Sequence, residues 1–149
     1  MASIKEHLYN HCIGYVQSRA AAAEQAIRDS QLSANEETKS SAGDKYETGR
    51  AMAQLDIEKN TIQLTEARKL MQALEQIKDV PSFAVRPGSL AITNQGNFYL
   101  SISAGQINLD DKIYFAISPA SPIGQKLVGL TKLESFIFNN KTFNILEVL

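Results

Sequence analysis

The chain has one cysteine, Cys12, among its 149 residues. No intramolecular disulfide can form, and a reducing compartment is the natural reading. There is no basic surplus, since 15 Lys and Arg stand against 16 Asp and Glu for a formal charge of -1. A protein that grips DNA through its phosphates carries such a surplus, so sequence-specific DNA is not an expected partner. No apolar run approaches the roughly 20 residues of a membrane span. The opening Met-Ala-Ser-Ile-Lys-Glu-His brings charge at once and no apolar stretch follows it, so no secretory signal is expected. The chain reads as cytoplasmic, without a membrane partner. It also lacks a nucleophile–base constellation and a glycine-rich phosphate loop, which argues against an independent enzyme.

Proline is missing from the whole stretch before Pro81, and glycine is scarce there. Ala, Glu, Gln and Lys dominate instead, which predicts helix. The stretch breaks once, at Ser40-Ser41-Ala42-Gly43, almost midway between Ile4 and Lys78. Gly43 suits a helix C-terminus, and Asp44 suits the start of the next helix. Two arms of similar length can fold back on each other, each reaching ~50 Å. Ile57, Leu64 and Met71 recur every seven residues in the second arm, with Ala67 and Leu74 between them. Ile4, Leu8, Tyr15, Ala22 and Ala26 give a weaker stripe in the first. Near the break the stripe fades to Ala, Ser and Met52, which predicts a thin polar tip at 40–47. Residues 1–79 are thus an expected antiparallel coiled-coil hairpin.

All four prolines lie from Pro81 onward, with Phe, Ile, Val, Tyr and Asn. Segments 89–93, 98–103, 112–117, 134–138 and 142–148 read as strands, with turns at Asn94-Gln95-Gly96-Asn97 and Asn139-Asn140-Lys141. Pro122 near a first turn and Gly129 beyond a last one predict one short helix. Residues 80–149 are therefore expected to form an antiparallel sheet covered on one face, in an α+β chain.

Ile117-Ser118-Pro119-Ala120-Ser121-Pro122-Ile123-Gly124-Gln125-Lys126-Leu127-Val128-Gly129 resembles the C-terminal signature of the bacterial Gre-type transcript-cleavage factors. That family carries Ile-Ser-x-x-Ser-Pro-apolar-x-x-x-Leu-apolar-Gly, followed by closing strands similar to Phe143-Asn144-Ile145-Leu146-Glu147-Val148. It has Asp or Asn where Ala120 stands, and Gly-Asp where Glu134-Ser135 stand. The resemblance implies a helical hairpin joined to an FKBP-like domain, and bacterial RNA polymerase as partner. It implies that the turn of Ser121, Pro122, Ile123 and Gly124 docks on polymerase while the hairpin enters the secondary channel. Acids at the tip would then help the polymerase hold Mg²⁺ and a water, so that the polymerase's own site cuts backtracked RNA near its 3′ end. Mg²⁺ prefers oxygen ligands and keeps waters, so one or two added carboxylates raise its occupancy, and paired metals stabilise the displacement. The metal would be held only in that complex.

The family's tip, Gly-Asp-x-x-Glu-Asn, is similar to Gly43-Asp44-Lys45-Tyr46-Glu47-Thr48, with Thr48 in place of the Asn. This makes Asp44 and Glu47 the metal-assisting pair. A second register sets Ser33-Ala34-Asn35-Glu36-Glu37 on the family's Ser-Glu-Asn-Ala-Glu, supported by Glu47-x-Gly49-Arg50, and gives Glu36 and Glu37 a lesser part. Arm symmetry favours the first register. Asp44-x-x-Glu47 is equally the form of a capping box, and the two uses are compatible. A polymerase-channel binder without cleavage stimulation is the alternative function. An FKBP-like isomerase or chaperone module is a further one, with Phe98, Tyr99, Tyr114, Phe115, Phe136 and Phe138 as aromatics, although fold likeness alone says little about function. His7 and His11 share a helix face but lack further ligands, and read as surface residues. Cys12, with no basic neighbour, reads as an inert apolar residue. Lys39, Lys45, Arg50 and Lys59 are candidates for RNA contact or plain solvated charge.

Overall fold

Ser3 opens the first helix. Its hydroxyl accepts the Glu6 amide at 3.1 Å, and its carbonyl accepts the His7 amide at 3.1 Å. The Ser3 hydroxyl thus satisfies one first-turn amide that has no partner within the helix. The computed structural model gives two long helices, α1 (Ile4–Glu37) and α2 (Gly43–Glu75). It describes residues 3–37 and 43–149, without the side chains of 36, 37 and 43–47. Gly43 opens α2 instead of ending α1. At the other end Gln76 and Ile77 donate to Gln72 and Leu74 carbonyls, and this shorter last step closes the helix at Glu75, ahead of the 78–81 boundary.

The chain forms two compact units, Val16–Met71, and Met1–Tyr15 with Gln72–Leu149. In the first, α1 and α2 pack together. Along α2 the shielded residues include Ala53, Ile57, Asn60, Leu64, Ala67 and Met71, in alternating steps of four and three, with Gly49 and Leu70 half-buried beside them. That is the seam the heptad spacing predicts. Arg19 donates to Gln63 Oε1 at 3.1 Å across it. The α1 stripe differs from expectation: Val16 and Ala23 are buried here, while Ala22 is exposed. Val16 and Ala23 are themselves seven apart, so the expected Tyr15–Ala22 step has the right period but sits one residue off the buried face. A cleft of about 250 Å³ lined by Asp29, Ser33, Gly49 and Asp56 marks where apolar filling runs out.

The second unit holds β1 (Leu90–Thr93), β2 (Gly96–Leu100), β3 (Gly105–Leu109), β4 (Lys112–Ile117), the short helix α3 (Pro122–Leu127), β5 (Ser135–Phe138) and β6 (Lys141–Val148). Strand order is β3-β4-β2-β1-β6-β5. The expected all-antiparallel sheet of five strands is corrected to a mixed one of six, because β2 and β4 run parallel, Asn97 opposite Tyr114 and Leu100 opposite Ile117. The cause is β3, which the strand assignment missed. Its reversal and the next restore the direction of β2, so β4 runs alongside β2. Residues 101–104 carry the chain past β4, with Ser101 and Ala104 amides on Ile117 and Ala116 carbonyls. Asp110 and Asp111, both at positive φ, make the two-residue turn into β4, and Asn139 and Asn140 make the equivalent turn into β6.

One sheet face packs under α3. Val85, Ala91, Phe98, Leu100, Leu127, Phe143 and Ile145 form its core, and Phe136 stacks on Phe143 at 4.8 Å. Each such side chain contributes about 1.5–3 kcal/mol on burial. Phe98, Tyr99 and Leu100 are buried in succession, so β2 is covered on both faces. This corrects the expectation of a half-covered sheet. The second cover comes from the helix ends: Leu8, Cys12 and Leu74 are fully buried, Cys12 Sγ lies 3.5 Å from Ser101 Oγ, and Tyr9 Oη donates to the Leu74 carbonyl at 3.2 Å. Ala22 and Ile4 of the expected stripe take no such part, Ile4 being exposed.

The Ser118–Gly124 turn is closed by its own hydrogen bonds, and Gly124 has no room for a side chain. A Cβ there would strike the Ser118 carbonyl oxygen. Gly124→Ala should therefore lower stability by about 2–3 kcal/mol, read from the denaturant midpoint; an unchanged midpoint refutes the packing argument. A second prediction concerns Glu134, whose carboxylate accepts the Thr131 hydroxyl at 2.6 Å and amide at 2.9 Å. These bonds hold its pKa below the ordinary 4.5. A depressed carboxylate stabilises the fold above its unfolded pKa, and the effect fades as pH falls through the folded value. The melting-temperature gap between wild type and Glu134→Gln should close between pH 5 and pH 3 (about the window set by a lowered carboxylate); a gap independent of pH refutes it.

Candidate functional site

Ser121, Pro122, Ile123 and Gly124 are brought together in one turn. Ser121 is the N-cap of α3: its hydroxyl accepts the Gly124 amide at 3.1 Å and donates to the Ser118 carbonyl at 2.6 Å. Its own amide returns to Ser118 Oγ at 3.1 Å. Pro122 takes the first helical position, where a missing N–H costs nothing. Ile123 packs against the core and Gly124 is buried, which leaves Pro122 as the exposed member of the four. Gln125 Nε2 donates to the Ala120 carbonyl at 3.0 Å. The Ala120 position is thus engaged through its backbone, and its methyl offers no polar contact.

The tip candidates stand differently. Asp44 and Glu47 belong by backbone to the first turn of α2, and Glu36 and Glu37 to the last residues of α1. Their side chains lie outside the described residues, as do Lys39 and residues 38–42. The first turn of a helix presents free amides and favours negative charge nearby. His7 and His11 are both exposed. Among the described residues no group of three or more His, Cys, Asp or Glu is placed to hold a metal.

The aromatics named for an isomerase pocket are taken up in packing. Phe98 stacks on Phe115 at 5.8 Å, Phe136 and Phe138 meet Phe143, and Tyr114 is buried. Exposed apolar side chains lie elsewhere on the same unit. Phe83 is 93% exposed, Leu133 83% and Ile137 67%. Leu133 also sits at φ +76, a conformation that a leucine adopts at a cost. Neither packing nor backbone preference accounts for leucine there.

One cavity has no sequence signal behind it. It measures about 440 Å³ and is lined by Lys5, Glu6, Tyr9, Asn10, Asp79 and Tyr99, with Ile77 and Gly88 in its wall. Lys5 Nζ lies 3.0 Å from Asp79. Gly88, at φ +95, ends an Arg86-Pro87-Gly88-Ser89 turn, and a Cβ there would lie 2.9 Å from Ile77 Cγ2. These residues come from segments scattered along the chain, so no spacing reveals them. Only the covering of β2 by the helix ends assembles them.

Cys12 is wholly buried beside Ser101. Burial pushes its thiol pKa up, and the Ser101 hydroxyl pulls it down by less. Such a thiol stays protonated and unreactive. A disulfide reagent should label native protein at pH 8 (about half a unit below the free thiol pKa) no faster than global unfolding allows, and urea should release one thiol; rapid native labelling overturns this reading.

No helix among the described residues is long and apolar enough to cross a membrane. Compared with protein-family models and with curated proteins, the chain shows no significant match to any.

Proposed function

We propose that this protein is a Gre-like transcription elongation factor. It binds bacterial RNA polymerase and offers the acids near the α1–α2 junction to the polymerase active site, where cleavage of backtracked RNA is stimulated. It is an accessory factor, not an enzyme in its own right. The carrying observation is the combination of an antiparallel helix pair, broken near its midpoint, with a sheet unit that bears the self-closed Ser118–Gly124 turn. The Ile-Ser-x-x-Ser-Pro spacing is met by a turn in which each of those residues has a geometric task. A rigid turn with an exposed proline suits docking, because little order is lost when a partner settles on it. On this reading the sheet unit is FKBP-like, the protein is cytoplasmic, and neither membrane nor sequence-specific DNA is a partner.

The metal chemistry assigned to Asp44 and Glu47 uses carboxylates as hard oxygen ligands on a Mg²⁺ that the polymerase already partly holds. The chain's own part is to carry negative charge to that ion. A polymerase binder without cleavage stimulation differs only at this step. Full-length protein should be retained by polymerase, and Pro122→Ala should weaken retention by about tenfold at most, the range of one lost interface contact. Asp44→Asn with Glu47→Gln should leave retention within about twofold while cutting stimulated cleavage by tenfold or more, because amides lose the charge that Mg²⁺ attracts. If the acids only cap α2, the same pair of changes lowers stability by about 0.5–2 kcal/mol and leaves cleavage alone. Failure of the intact protein to bind polymerase overturns the proposal.

A further inference from the structure

The 440 Å³ cavity is built from groups that the proposed polymerase function does not use. Tyr99 is the key to it. Its side chain is 2% exposed and its hydroxyl makes no hydrogen bond among the described residues; since no described buried polar atom lacks a partner, that oxygen is open to solvent. A phenol held this deep takes its partner from whatever fills the opening beside it, water or a ligand. Tyr99 lines this cavity. The hydroxyl is also held protonated, first by burial and then by the nearby Cys12, Asp79 and Tyr9, so it can both donate and accept.

The remaining lining decides what kind of molecule suits the space. Tyr9 spends its proton on the Leu74 carbonyl, which leaves its oxygen as an acceptor. Glu6 and Asp79 bring two negative charges and Lys5 one positive charge, and that ammonium is engaged by Asp79 at 3.0 Å. An anion would therefore have to break the Lys5–Asp79 pair and then face Glu6. A cation meets the Glu6 carboxylate and the Tyr9, Tyr99 and Asn10 side chains in the lining and leaves the Lys5–Asp79 pair in place. Tyrosine rings attract cations over their faces, and the Ile77 side chain gives a short aliphatic stem an apolar wall. A volume of this size holds a small molecule, not a peptide segment.

We infer that this cavity is a binding site for a small organic cation, an amine or guanidinium on a short aliphatic chain, received by Tyr99, Tyr9 and Glu6. The site is independent of the polymerase reading, as it shares no residue with the tip or with the Ser121–Gly124 turn.

The chain has no tryptophan, so tyrosine emission reports directly on Tyr9 and Tyr99 among five tyrosines. Full-length protein is titrated with agmatine, and with succinate as an anion of comparable length, at physiological salt. Calorimetry is run alongside fluorescence. Agmatine should bind saturably with one site, and succinate should not. Tyr99→Phe and Glu6→Gln should each weaken agmatine at least about tenfold, the usual effect of removing one partner of a charge-assisted bond. Both variants should retain the wild-type circular dichroism spectrum, which separates lost binding from lost folding. Agmatine binding unchanged in both folded variants overturns the inference, because binding then lies elsewhere, for instance at the tip acids. So does a preference for succinate, or no saturation by agmatine up to 10 mM (about the weakest affinity worth calling a site).

Discussion

Everything in the sheet unit depends on covering both faces of β2. Phe98 and Leu100 point under α3, while Tyr99 points the other way, and all three are buried. A sheet of this size has residues enough to roof one face with α3 and the 81–87 segment. The second face needs apolar surface from elsewhere in the chain. Leu8, Cys12 and Leu74 supply it, and for that reason Met1–Tyr15 and Gln72–Leu149 form one compact unit although far apart in sequence. A fragment cut at the composition boundary near Pro81 would expose Leu90, Tyr99 and Ser101 to water. The domain that folds is therefore not the domain that composition outlines.

The same covering explains why a polar cavity exists at all. The helix ends are narrow and the sheet is broad, so the fit is close where Cys12 meets Ser101 and opens where charged first-turn residues face the sheet. Lys5 and Glu6 stand in that first turn, which Ser3 caps through the Glu6 amide. Capping thus fixes the orientation of residues that line the cavity. Lys5 reaches Asp79 just beyond the end of α2, so one ion pair links the start of the first helix to the exit of the second. A partly exposed pair of this kind adds little stability. Its main effect is to engage the Lys5 ammonium within the cavity lining, so that this charge is already neutralised by Asp79.

How much of this was legible in the sequence follows from the range of each signal. The α2 seam was legible because Ile57, Leu64 and Met71 repeat locally, and α3 because Ser121-Pro122 and Gly129 bracket it. The turn at Asn139-Asn140 was legible from residue type, since asparagine tolerates positive φ. β3 was legible in principle: Gln106-Ile107-Asn108-Leu109 alternates, with Ile107 buried between exposed neighbours, and Asp110-Asp111 is a turn pair. Missing it reversed the inferred direction of β4 relative to β2. The cavity and the second roof of β2 were not legible, because they arise between segments with no local pattern to connect them. Tyr99 reads as one more strand aromatic until its hydroxyl is found without a partner among the described residues and its side chain in the wall of the cavity.

The turn at Ser118–Gly124 separates local necessity from function. Ser121 must be a cap and Gly124 must lack a side chain for the chain to turn here, whatever the protein binds. A motif match at those two positions therefore carries less functional weight than its length suggests. Pro122 is different, because many residues could fill the first position of α3, and proline adds an exposed ring. Leu133, Phe83 and Ile137 are in the same situation, present without a folding reason. Residues that the fold does not require are the ones that distinguish a binding module from a merely stable one. Pro122, Phe83, Leu133 and Ile137 lie on the sheet unit, whereas Leu32, Met52, Leu55 and Ile62 are exposed on the helical one, so neither unit is closed by folding alone.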